Sequence, residues 1–176
     1  MGDEERKIKG RVLNNYMKFI KKKWGVDGFS DCQRHTKLNL SEIHDDRWYM
    51  SNNSDKIQKW IADAHGIDCC RQLGFSIVTE IGIISYAARI AGIRKVLSRA
   101  TEEYKENLAH GQIDVQMSKN NAVILFKDVN RYESNCQTWI GIFEGIMHIT
   151  KTKGTVKKTA CEVKGDDSCT YELEWK

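Results

Sequence analysis

Apolar positions recur every three to four residues as far as Leu108 and at alternate residues in two later stretches, so the chain reads as helices followed by strands. Ile8, Val12, Tyr16, Phe19 and Ile20 form the stripe of a first helix that ends near Trp24-Gly25. Asp27 to Leu40 reads as a short helix and loop, and Ser41 to Asn53 as a polar surface loop anchored by Trp48 and Tyr49. Ser54 is the expected N-cap of a helix with Ile57, Trp60, Ile61 and Ala64 on one face, closing at His65-Gly66. Leu73 to Ile93 is the most apolar stretch and reads as a buried central helix. A membrane span needs about 20 predominantly apolar residues, and Glu80 with Gly74, Ser76, Thr79, Gly82 and Ser85 interrupts this run. Ile93 to Leu108 continues as an amphipathic helix with Arg94, Lys95, Arg99 and Lys105 outward.

At Gly111 the period switches to two. Ile113, Val115 and Met117 alternate, Ser118 to Asn121 turns, and Ala122 to Phe126 returns. Helical spacing reappears from Cys136 to Thr150, with Trp139, Ile140, Phe143, Ile146 and Met147 on one stripe. Gly141 and Gly145 leave a bare strip there that admits another backbone or a ligand. After Gly154 the period is again two, over Thr155 to Lys164 and Ser168 to Trp175, with Lys164-Gly165-Asp166-Asp167 as the turn. The expectation is α+β: N-terminal helices, then an antiparallel sheet of two hairpins with one inserted helix. Strands are expected near 112–118, 121–127, 155–164 and 168–175, in one unit over 1–176 with a helical part at 5–109 and a sheet part at 111–176.

That hairpin places two sulfurs. Cys161 and Cys169 each stand four residues from Gly165, so a simple hairpin sets them roughly opposite. Directly opposite side chains on antiparallel strands have Cβ atoms about 4.5–5.5 Å apart. Cys136 at the start of the preceding helix can add a third, in the spacing C-x24-C-x7-C. Three converging thiols can bind a metal, form a redox pair, or simply fill a core as small hydrophobes.

Composition narrows the context. Forty per cent apolar and thirty per cent charged residues suit a soluble globular chain, and a net charge of +4 argues for neither nucleic acid nor membrane. Six cysteines without a signal peptide point to a reducing, cytoplasmic setting, where a cysteine cluster is more often metal-binding or catalytic than a disulfide framework. His35, His44, His65, His110 and His148 lack metal-ligand spacing, and no nucleotide, zinc-protease or serine-elbow motif occurs, so no enzyme is expected.

The run from Gly111 to Trp175, above all the cysteines around the Gly-x-x-x-Gly helix and Cys-Glu-Val-Lys-Gly-Asp-Asp-Ser-Cys-Thr-Tyr-Glu-Leu-Glu-Trp, resembles the vinyl-4-reductase-like domain. That family shares a superfamily with TRAPP transport subunits and haem–nitric-oxide-binding domains. The resemblance implies a sensor of small hydrophobic molecules and, at Cys136, Cys161 and Cys169, a zinc site. The family's glutamate, three residues before the middle cysteine, is Lys158 in this chain, which leaves Glu133, Glu162, water or nothing as fourth ligand. An ammonium there favours thiolates, so a thiol switch closing Cys161–Cys169 is the alternative. Tyr132-Glu133-Ser134 resembles the start of the Tyr-x-Ser-x-Arg clamp of the haem branch. Position 136 is Cys, however, and the upstream histidine, His110, is 22 residues away, so haem is the lesser cofactor expectation. The resulting expectation is a ligand-binding or sensory module enclosing a small hydrophobic molecule between the central helix and the sheet. Its lining would be Phe75, Ile77, Ile81, Ile84, Trp139 and Phe143. The alternatives are a haem or thiol redox sensor and a TRAPP-like interaction subunit. No nucleic-acid partner is expected, and these features leave room for a homodimer.

Overall fold

Residues 6–79 and 84–176 are described by a computed structural model, residues 84–90 by their backbone alone. Strand β1 (Lys7–Lys9) leads into α1 (Gly10–Thr36), which buries Leu13, Tyr16, Met17, Phe19 and Ile20. The helix expected to stop near Trp24-Gly25 bends there instead. Gly25 takes φ 70°, ψ −163°, and a second segment burying Phe29 and Cys32 continues to Thr36. A left-handed φ is free for glycine and strained for other residues, so one residue redirects the helix without ending it.

The loop expected after it contains β2 (Trp48–Met50), and α2 (Asn52–His65) begins just after Ser51, earlier than an N-cap at Ser54. The Ser54 hydroxyl is buried and faces Tyr16 Oη at 3.5 Å. Helices α3 (Asp68–Thr79), α4 (Ile84–Ser98) and α5 (Ala100–Asn107) follow, then β3 (Leu108–Ala109). Part of the expected continuous central helix, residues 80–83, lies outside the described residues, and Gly92 at φ 75° breaks α4. Strands β2-β1-β3 form a small antiparallel sheet that the sequence pattern did not reveal, because pieces of two or three residues carry no readable period.

The second sheet matches the expected hairpins with adjusted ends. It holds β4 (Gln112–Met117), β5 (Asn121–Lys127), β6 (Gly154–Ala160) and β7 (Cys169–Trp175) in the antiparallel order β4-β5-β7-β6. Strand β6 does not run to Lys164: it bulges between Lys158 and Ala160 and gives way to a 3-10 turn at Glu162–Lys164. Between the hairpins lies α6 (Glu133–Ile149).

Helix α6 joins the two cores. Its glycine strip receives the backbone of α3, not a ligand. A Cβ on Gly141 would lie 1.9 Å from Arg71 O, and one on Gly74 of α3 would lie 1.9 Å from Thr138 O. One core packs Leu13, Ile20, Ile57, Ile61 and Leu73 among the first helices. The other packs Ile140 and Phe143 of α6 on Ile124, Phe126, Tyr171 and Leu173 of the sheet. No helix among the described residues is long and apolar enough to cross a membrane.

Candidate functional site

Cys136 stands in the first turn of α6, Cys161 follows the end of β6, and Cys169 opens β7. The bulge sets their register. Lys158 pairs with Tyr171, but Ala160 pairs with Thr170. One further step along the shifted register sets Cys161 against Cys169. Without the bulge Cys161 would face Ser168, on the opposite face of the strand. The chain turns away at that step. Cys161 N donates to Asp166 Oδ2 at 2.7 Å, Cys161 O accepts from Lys164 N at 2.9 Å, and Gly165 closes the turn at φ 99°. The start of α6 is held by Asn135. Its Oδ1 accepts the N–H groups of Arg131 and Tyr132 at 3.1 and 2.9 Å, and its Nδ2 donates to buried Asp55 at 3.1 Å.

Cys136 Sγ lies 3.8 Å from Cys161 Sγ and 3.9 Å from Cys169 Sγ, and all three sulfurs fall within 4.8 Å of one another. A tetrahedral ion with metal–sulfur bonds of about 2.3 Å holds its sulfurs about 3.8 Å apart. All three residues are at most 3 % exposed. Donors approach two of them. Lys158 Nζ approaches Cys161 Sγ at 3.3 Å while paired to Glu133 Oε1 at 3.0 Å, and Glu162 N–H points at Cys169 Sγ at 3.3 Å. Glu162 Oε1 accepts from Asp128 N at 2.6 Å, while its Oε2 is buried without a partner.

These contacts divide the protons. Cys136 donating to Cys169 holds the Cys169 thiol well below its usual range, against the cost of burial and helped by the Asn130 amide and Glu162 N–H. Cys136 is driven the other way, by that same hydrogen bond and then by burial. Burial opposes the Lys158 charge, yet Glu133 and the sulfurs outweigh it and hold the proton on. The contacts thus favour the charged form of Cys169, with the Cys136 thiol 3.9 Å from it and the Lys158 ammonium 3.3 Å from Cys161.

No protein-family signature matches the sequence, and no curated protein sequence matches it. Solved structures do. An H-NOX protein from S. oneidensis in the Fe(II)NO ligation state superposes with a TM-score of 0.77 at 14 % identity, covering 96 % of this chain and 99 % of that one. A mutant H-NOX from T. Tengcongensis gives 0.73 at 14 %, covering 96 % and 98 %. An Fe(II) unliganded H-NOX mutant from K. algicida gives 0.71 at 11 %, covering 96 % and 97 %. The fold is the H-NOX fold.

The resemblance of residues 111–175 to a relative of that fold is met as far as the fold. Haem, the group studied in another H-NOX neighbour, has to be tested on this chain's own side chains. His110 is buried with Nδ1 3.2 Å from Lys7 O and Nε2 3.4 Å from Ser51 Oγ. Burial, and then Arg6, lower its pKa to about 4. The other four histidines are exposed. Tyr104, Phe126, Trp139, Phe143 and Tyr171 fill the space between α5, α6 and the sheet, with ring centroids 4.4–6.3 Å apart. The described residues therefore do not fit a histidine-ligated haem. Ser134 Oγ, like Arg6 Nε, Asn130 Oδ1 and Glu162 Oε2, is buried without a partner, while Tyr132 beside it is exposed.

Of the six residues expected to line an apolar pocket, the structure brings Trp139 and Phe143 together, 6.1 Å apart. Phe75 lies on α3 with its ring 5.3 Å from His148, in an open cleft shared with Lys22, Lys23, Arg71 and Glu144. Ile77 packs toward the helical core. Ile81 lies outside the described residues, and only the backbone of Ile84 is described. Sequence reasoning did not find the buried polar seam between α2 and α6, where Thr138 Oγ1 donates to Gln58 Oε1 at 2.6 Å beside the Asn135–Asp55 bond. A regular run of polar residues on the buried face of α2, Ser54, Asp55 and Gln58, was its only sequence signal.

Proposed function

We propose that the chain is a sensory module of the H-NOX fold whose reactive element is the triad Cys136, Cys161 and Cys169. The observation that carries this reading is three buried sulfurs within 4.8 Å of one another, approached by the Lys158 ammonium and the Glu162 N–H. The Cys169 thiolate attacks hydrogen peroxide, giving a sulfenic acid and hydroxide. A neighbouring thiol then displaces the hydroxyl as water and forms the disulfide. Overall two thiols and one peroxide give one disulfide and two waters. Shortening a sulfur–sulfur separation of 3.8–3.9 Å to about 2.05 Å pulls on the first turn of α6 when Cys136 takes part. The same thiolates suit a thiophilic metal, and the vinyl-4-reductase-like cysteine spacing supports such a site.

The test is stoichiometric peroxide followed by cysteine-by-cysteine mass spectrometry. The expected result is a reversible loss of two thiols within the triad, with Cys32, Cys69 and Cys70 untouched until the chain is unfolded. Parallel oxidation of all six removes the proposal.

A haem sensor is the second reading, favoured by the fold likeness. A Soret band in the purified, haem-supplied chain establishes it, and its absence under those conditions ends it. The apolar-ligand role of Phe75, Ile77, Ile81, Ile84, Trp139 and Phe143 is decided by native mass spectrometry. A ligand beside Trp139 has to displace its packing on Phe126, 4.4 Å between centroids.

A further inference from the structure

We infer that Arg6, at the start of the chain, is a positioning residue for the cysteine triad, because it holds the strap 128–131 whose Asn130 amide meets Cys169. This role rests on Cys169 being the reactive sulfur proposed above.

Two of the donors to Cys169 depend on the strap. Asn130 reaches the sulfur with its side-chain amide, whose Nδ2 also lies 3.4 Å from Tyr171 Oη. Its Oδ1 is buried without a partner, so the amide is oriented by its donor contacts and by the backbone that carries it. Glu162 N–H points at Cys169 Sγ at 3.3 Å, and Glu162 Oε1 accepts from Asp128 N at 2.6 Å.

The strap does not hold itself. Asp128 stands at φ 57°, in the left-handed region that residues with a side chain seldom adopt. Such backbone persists where its surroundings fix it. Gly111 lets it lie close, since a Cβ there would be 2.7 Å from the carbonyl oxygens of both Lys127 and Asp128. Arg6 then ties it down, donating from Nη1 to Asp128 O and from Nη2 to Val129 O, both at 2.9 Å. Arg6 is itself anchored. Its carbonyl accepts Ser51 N–H at 2.8 Å just ahead of α2, and Lys7 beside it pairs with Met50 in the small sheet. A planar guanidinium can serve two successive carbonyls at once, whereas an ammonium is a single point charge on a flexible stem. Donors on Cys169 stabilise its charged, reduced form and do nothing comparable for a disulfide sulfur, which carries no charge. Loosening the strap therefore shifts the triad toward the disulfide.

The experiment is redox equilibration of the purified chain with glutathione at pH 7. The triad disulfide and two glutathione thiols give two protein thiols and one glutathione disulfide, counted by mass spectrometry. It is run on the parent, Arg6→Met and Arg6→Lys, beside alkylation of Cys169 and Cys70. In Arg6→Met the equilibrium constant for reduction should fall about 10-fold, the scale of a hydrogen bond to a charged group, which is a potential about 30 mV more negative. Cys169 alkylation should slow with it, and Cys70 should be unchanged. Arg6→Lys, which keeps the test open should Arg6→Met fold poorly, is expected to fall about 3-fold. In an Asn130→Ala background, which removes the amide directly, either Arg6 substitution should do less. Arg6 variants with the parent's potential overturn the inference. So does faster alkylation of Cys70 and Cys169 together, which marks a structural role alone. If the parent forms no triad disulfide with peroxide, the sensor reading itself falls. If the parent oxidises and the Arg6 variants match it, that reading stands and only the role of Arg6 is removed.

Discussion

All six cysteines are buried and free, yet the two halves of the molecule treat them in opposite ways. In the helical half the sulfurs donate: Cys70 Sγ to Gln58 O at 3.4 Å, and Cys69 Sγ to His65 O at 3.2 Å. Burial, then neighbouring negative groups, push Cys32 and Cys70 up to about 12. Such thiols keep their protons and behave as small apolar side chains. In the sheet half Cys169 accepts from Cys136, and Cys161 takes the Lys158 ammonium. Burial is therefore not what separates the two groups of cysteines. The sign of their hydrogen-bond partners is.

The most direct way to break this comparison is to race the two groups. Alkylation by iodoacetamide at neutral pH, followed peptide by peptide, should modify Cys169 on the order of 100-fold faster than Cys70, because thiolate fraction outweighs the lower nucleophilicity of an acidic thiol. Equal rates mean that both react only through opening of the whole chain, and the contrast disappears.

A buried base at the join between the halves extends the rule to acid. His110 sits under Arg6 and Arg131, and its carbonyl accepts the Tyr104 hydroxyl at 2.5 Å. Its folded pKa of about 4 lies below the ordinary 6.5, so the unfolded chain takes up the proton first. Stability contributed here is complete above about pH 6.5 and lost as the pH falls toward 4, with about 2.5 kcal/mol gone by pH 4.5. Denaturant melts at pH 8 and pH 4.5 measure the loss, and His110→Gln should remove most of the pH dependence while lowering stability at pH 8. An unchanged slope in that variant places the acid sensitivity elsewhere.

How much of this could be read beforehand follows from the range of each signal. The hairpins at 112–127 and 154–175 announce themselves through alternation, which is local. The approach of Cys161 to Cys169 was legible because one turn separates them. The bulge that perfects it was not, since nothing in Lys158-Thr159-Ala160 differs from ordinary strand sequence. Lys158 was visible as a departure at the ligand position, but its pairing with Glu133, 25 residues away, depends on how α6 lies over the sheet. The small β2-β1-β3 sheet and the Asp55–Asn135 bond are joined only by tertiary structure. Gly141 showed that something approaches α6 closely, and the structure supplied α3.

The ammonium is the next lever. Lys158→Met removes the ammonium 3.3 Å from Cys161 Sγ and leaves Glu133 without its partner. Lys158 is only 12 % exposed, but Glu133 is 37 % exposed and screened by water, so the cost is about 2 kcal/mol and not the full 3–5 of a buried pair. Alkylation of the triad should slow about 10-fold as thiolate is lost, and Cys70 should be unaffected. A variant as reactive as the parent assigns the activation to Cys136 and the Glu162 N–H alone.

The finest test uses the same substitution in both halves. Serine keeps the shape of cysteine and adds a stronger need for partners. At Cys136 the new hydroxyl inherits a thiolate acceptor 3.9 Å away, within reach of a small adjustment, so about 0.5 kcal/mol is lost. At Cys32 the sulfur is fully buried between Phe29 and Thr36 on α1. The Thr36 hydroxyl already donates to the Cys32 carbonyl at 2.7 Å, leaving the new group to compete within its own helix. About 1.5 kcal/mol is expected there. The difference of about 1 kcal/mol corresponds to roughly 2–4 °C in Tm for a chain of this length, which paired thermal melts resolve. A larger loss at Cys136 than at Cys32 would mean that the triad serves packing more than chemistry, and the division between the halves would have to be redrawn.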